Sequence, residues 1–143
     1  MSFADIKPYF RTQLAAVGYS NEHLEAVNLD NVPAVTLDRT YHILVAGSQG
    51  TKATLSDQTI TANVIVSVFF AGWVSEIQAI DDATSAAEDI LKSCVKISDR
   101  VTGLGTLRNV SFTGHSIQPI DGTNDNIMVL TLEFLTLLVF NID

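Results

Sequence analysis

Apolar and polar residues alternate along the chain in segments that predict two helices and four strands. The first segment places its apolar side chains on one helical face: Phe3, Ile6, Phe10, Leu14 and Val17. Ser2 is a plausible N-cap for this helix, and Gly18 predicts its end. The mixed, polar segment Tyr19–Val32 that follows predicts a loop.

Four segments rich in β-branched and aromatic residues predict strands: Arg39–Ala46, Thr59–Ala71, Leu107–Ile117 and Asn126–Asn141. The segment Gly47–Gln58, between the first two, contains glycine, serine and aspartate residues. It is too long for a tight turn, so it predicts a long hairpin connection. We expect this connection to form an arm that carries Gly47, Gly50 and Lys52.

The two longest strands place apolar side chains on one face at alternate positions. In Thr59–Ala71 this face holds Ile60, Ala62, Val64, Val66, Val68 and Phe70. In Asn126–Asn141 it holds Met128, Leu130, Leu132, Phe134, Leu138 and Phe140. In Leu107–Ile117, strict alternation predicts that Phe112 faces one side of the sheet and His115 the other.

A second helix is predicted over Asp82–Ile97, with Asp81 or Asp82 as its cap. Acidic residues lie in its first half, and Lys92 and Lys96 lie near its end, which suits the helix dipole. Its predicted buried stripe consists of Ala83, Ala87, Ile90, Cys94 and Ile97.

The element order α-β-β-α-β-β predicts an α+β fold, with both helices on one face of a mixed or antiparallel sheet of about four strands. No linker-like segment divides the chain, and its 143 residues suit one domain, residues 1–143. The order of the strands within the sheet stays open at this stage.

Apolar residues also occur on the sheet face that should point away from the helices. These residues are Ile65, Phe69, Leu135, Leu137 and Val139, and Trp73 follows the end of a strand. The outer face of an open sheet is usually polar, so this apolar surface needs a cover. The cover is either the loop Tyr19–Asp38 or another subunit, and we expect these six residues to form a subunit or partner interface.

Composition narrows the classes of function. Sixteen acidic residues against eight basic ones give a net charge of -8, yet 47% of the residues are apolar. No basic residue follows Arg108, which argues against sequence-specific binding of nucleic acid. The longest apolar runs are too short to span a membrane, and the segment Met1–Pro8 predicts no signal peptide. The lone cysteine, Cys94, fits synthesis in a reducing cytoplasm.

The sequence shows no recognisable motif for catalysis or metal binding. His23, His42 and His115 lack metal-ligand spacing. The segment Gly47–Lys52 lacks the spacing of a phosphate-binding loop, and a strand follows it. The acid pair Asp81-Asp82 is better interpreted as a helix cap than as a catalytic pair. We therefore expect no enzyme activity, no metal and no cofactor.

The order and length of the elements, together with four segments, resemble the tail terminator proteins of long-tailed bacteriophages. The segments are Asn31-Val32-Pro33, Leu37-Asp38-Arg39-Thr40-Tyr41-His42-Ile43, Val66-Ser67-Val68-Phe69-Phe70 and Leu130-Thr131-Leu132-Glu133-Phe134. The resemblance covers nearly the whole chain.

The resemblance implies a virion structural protein of the tail or neck that is assembled in the host cytoplasm. Its copies would form a homo-oligomer, a hexameric ring that caps the tail tube protein and stops its polymerisation. The ring would also present a surface to the head–neck connector protein, and DNA would pass through it. Another neck or head–tail connector component is an alternative. A small-molecule binding module, with a pocket near Trp73, is a further one.

Overall fold

The structure is a computed structural model that describes residues 6–22, 38–53, 57–95, 107–119 and 127–141. Two long helices, α1 (Ile6–Ala16) and α2 (Glu76–Cys94), accompany four strands. The strands are β1 (Tyr41–Ala53), β2 (Asp57–Ala71), β3 (Leu107–Pro119) and β4 (Ile127–Asn141). The predicted order α-β-β-α-β-β and the α+β class are confirmed.

The four strands form one sheet in the order β1-β2-β4-β3, and every neighbouring pair is antiparallel. The inner strands β2 and β4 pair from Asp57↔Asn141 to Ala71↔Ile127 without a register shift. Each edge strand instead contains two register shifts, at which it carries an extra residue. The inner pair is therefore the regular part of the sheet, and the bulges belong to its edges.

Both inner strands bury one face under the helices, as the alternation predicts. The buried apolar side chains of this face are Ala62, Val64, Val66, Val68, Phe70, Met128, Leu130, Leu132, Phe134 and Leu138. Aromatic rings join the layers, since the ring of Phe134 lies 5.3 Å from that of Phe10 and 5.8 Å from that of Phe112, centroid to centroid. The core is thus a sheet face covered by helices.

Helix α1 ends where the glycine predicts. Gly18 has a φ of +97°, which favours glycine because a Cβ is strained there. The Tyr19 N–H donates to the Leu14 carbonyl at 2.9 Å, and the Gly18 N–H donates to the Ala15 carbonyl at 3.1 Å. These bonds satisfy two carbonyls at the helix end. The predicted cap Ser2 and the apolar residue Phe3 lie outside the described residues.

The predicted start of the second helix was wrong. Helix α2 begins at Glu76 and not at Asp82, and the Ser75 hydroxyl caps it by accepting a bond from the Gln78 N–H at 3.4 Å. The apolar periodicity does not reveal this first turn, because Ile77 and Ile80 are apolar but exposed and lie outside the buried stripe. Ala83, Ala87, Ile90 and Cys94 are buried as predicted, whereas Ile97 lies outside the described residues.

The predicted long hairpin connection was also wrong in its extent. Residues Gly47–Ala53 continue β1, so Gly47, Gly50 and Lys52 are edge-strand residues, with Gly50 opposite Ile60 and Lys52 opposite Thr59. Pairing along the whole of β2 outweighs the low strand propensity of glycine and serine here. Residues 54–56, between β1 and β2, lie outside the described part of the chain.

The predicted orientation of His115 was wrong, because β3 contains a bulge before this residue. The register shifts between Phe112 and Gly114, so that Phe112 pairs with Phe134 and His115 pairs with Leu132. Both partners lie on the helix-covered face, and the rings of Phe112 and His115 stack with centroids 6.1 Å apart. An extra residue inverts the alternation beyond it, which period-two reasoning cannot anticipate.

We expect Phe134→Ala to lower the free energy of unfolding by about 3–5 kcal/mol, because it leaves a cavity between two aromatic rings. Chemical denaturation measures this loss. The half-buried Phe112 is the matched control, and Phe112→Ala should cost clearly less. Equal losses for the two variants would contradict the central place of Phe134 in the core.

Candidate functional site: the open face of the sheet

The sheet face turned away from the buried core is here called the open face. Its residues follow from the register, for example Leu44 on β1, Ile65 on β2 and Glu133 on β4, which lie in one cross-strand row. Leu44 is 47% exposed, and Glu133 is exposed as well. The open face therefore mixes apolar side chains with polar and charged ones.

Four predicted interface residues lie on the open face and are half-buried: Ile65, Leu135, Leu137 and Val139. The last three are consecutive open-face positions of β4 and are called the β4 strip below. Across the inner pair they face Asn63, Thr61 and Thr59 of β2. Short polar side chains thus border the strip, and its apolar side chains remain partly accessible to a partner.

The other predicted interface residues lie elsewhere. Phe69 pairs with Val129, six residues before Leu135, so about 20 Å of strand separates it from the β4 strip. Phe69 is also buried, at 8% exposure. The antiparallel pairing of β2 with β4 places the apolar end of each strand beside the polar end of the other. The predicted single patch is therefore two separate areas.

Trp73 belongs to the area at the Phe69 end. It follows Gly72, whose φ of +75° turns the chain from β2 towards α2. The Trp73 side chain is partly buried and packs against the hydrophobic core. It thus contributes to the fold, and its interface role stays a prediction.

The described part of the segment Leu37–Ile43, which begins at Asp38 and carries much of the family resemblance, joins the start of β1 to the end of β2. The Asp38 carboxylate accepts a bond from the Ala71 N–H at 3.0 Å. The Arg39 N–H donates to the Phe69 carbonyl at 2.6 Å, and the Phe69 N–H donates to the Thr40 carbonyl at 2.9 Å. These residues hold two strands in register, so their described role is structural.

Arg39 has an unusual conformation within that segment. Its φ is +60°, a left-handed value that is uncommon outside glycine, asparagine and aspartate. The guanidinium lies 5.4 Å from the centroid of the Phe70 ring, within the range of a cation–π contact. It also lines a cavity of about 280 Å³ together with Tyr19, Asp82 and Asp89. The cation–π contact links the segment before β1 to the end of β2.

Burial raises the pKa of two groups that lie between α1 and the end of α2. Burial raises the pKa of the Cys94 thiol to about 12, so the thiol is protonated at neutral pH and is a poor nucleophile. Burial, followed by the Cys94 thiol, raises the pKa of Tyr9. The Tyr9 hydroxyl donates to the Cys94 carbonyl and ties α1 to the end of α2.

A search of the described residues finds no group of three or more His, Cys, Asp or Glu side chains that could hold a metal ion. No helix in that part of the chain is long and apolar enough to cross a membrane. A cavity of about 190 Å³ lies between α2 and β3, lined by Ala87, Leu91 and Phe112 among others. It is smaller than the usual small-molecule pocket of about 300–1,000 Å³.

Sequence reasoning missed one exposed apolar cluster. Val74 is 96% exposed, Ile77 is 75% exposed and Ile80 is 39% exposed, all at the start of α2. These three residues are called the α2 knob below. The signal that could have found them is Ser75-Glu76, an N-cap residue followed by an acid in the first turn. A helix that begins after Ser75 would contain Ile77 at a position outside the buried stripe.

No family model matches the chain, and neither does any curated protein. Among solved structures, the fold is similar to that of a chain in the virion of a native gene transfer agent particle. The TM-score is 0.59 at 12% sequence identity, and the match covers 96% of this chain and 93% of that one. The two chains therefore share a fold over nearly their whole lengths.

We expect the free energy of unfolding to fall as the pH rises above about 9, the ordinary pKa of a thiol. Because burial raises the pKa of Cys94 to about 12, its contribution is fully present below pH 9 and is lost between 9 and 12. Tyr9 adds a loss of the same sign above pH 10, its ordinary value. Denaturant titrations at pH 8 to 11 measure the effect.

Tyr9→Phe is the control for this pH dependence, since it removes one titrating group and keeps the ring. The variant should lose less stability than the wild type between pH 10 and 11. A stability that stays constant up to pH 11 in the wild type would contradict the burial of both groups.

Proposed function

We propose that this chain is a virion structural protein, a tail terminator whose copies form a ring at the end of the tail tube. The observation that carries the proposal is the similarity of fold, over 96% of the chain, to a component of a gene transfer agent virion. The sequence resemblance to tail terminators supports the finer role. The proposed role needs neither catalysis nor a cofactor.

The distribution of apolar surface supports assembly into a ring. A ring needs a head-to-tail contact, in which two different patches of the same chain meet. Accessible apolar side chains occur in two places, the half-buried β4 strip and the exposed α2 knob. Two separate patches suit such a contact better than a single one does.

The charge of the chain supports a ring through which DNA passes. With a net charge of -8, its surface repels phosphates, so a channel lined by this chain would not retain DNA. The proposed role does not involve sequence-specific recognition of nucleic acid.

In this role the partners are the tail tube protein on one side of the ring and the head–neck connector protein on the other. The resemblance to tail terminators implies six copies per ring, a location in the tail or neck of the virion, and assembly in the host cytoplasm. A head–tail connector component is the second candidate, because the same virion neighbour supports it equally.

Assembly of the purified chain tests the proposal. Size-exclusion chromatography with light scattering, followed by negative-stain imaging, should show rings of six copies, alone or with tail tubes of the same particle. A strictly monomeric chain under both conditions would contradict the proposal.

A deletion in the producing particle separates the two candidate roles. Loss of a terminator should give tails of abnormal length, because nothing stops tube polymerisation. Loss of a connector should give tails of normal length without heads. Electron microscopy of the particles measures both outcomes.

We expect Leu137→Glu to abolish assembly and to leave the monomer folded, because this side chain is half-exposed on the β4 strip. The matched comparison is Phe69→Glu, which buries a charge at a position that is 8% exposed and should unfold the chain. Light scattering measures assembly, and circular dichroism measures folding. A folded Leu137→Glu variant that assembles normally would remove the β4 strip from the interface.

A further inference from the structure

No further inference is drawn: the strongest candidate, the accessible apolar surface formed by the β4 strip on the open face of the sheet and by the α2 knob at the start of α2, carries none, because nothing in the structure shows what covers it.

Discussion

The antiparallel pairing of β2 with β4 is the constraint on which the rest of the structure depends. Fifteen consecutive residue pairs, from Asp57↔Asn141 to Ala71↔Ile127, keep one register. That register places ten buried apolar side chains on one face, and a slip of one residue in either strand would turn its set towards the open face. The helices can pack only because this face is continuous.

The same pairing decides where the open-face apolar residues lie. β2 is apolar on both faces towards its end, near Phe69, and β4 becomes so towards its own end, near Leu137. Antiparallel strands bring the end of one beside the start of the other, so the two apolar areas are separated by the length of the sheet. Phe69 is buried and Leu137 is half-exposed, so of these two areas only the one on β4 is open to a partner.

The residues that resemble a known family and the residues proposed to bind a partner have different physical roles. Asp38, Arg39 and Thr40 hold β1 against β2 through hydrogen bonds to the backbone. Val74 and Ile77 are largely exposed and lie outside the buried core. The resemblance therefore follows what the fold requires, whereas the half-exposed side chains of the β4 strip lie outside the segments that carry it.

The sequence by itself determined the classes and order of the elements, the buried faces of β2 and β4, and the end of α1 at Gly18, because periodicity and backbone conformation are local properties. It misplaced the start of α2, because exposed isoleucines in the first turn do not follow the buried stripe. It also predicted a loop at Gly47–Ala53, where pairing with β2 outweighs the low strand propensity of the residues. Only the tertiary structure decided the order of the strands, the bulge that turns His115 to the covered face, and the distance between Phe69 and Leu137. These features depend on which strands become neighbours, and that choice is made by contacts between residues far apart in the chain.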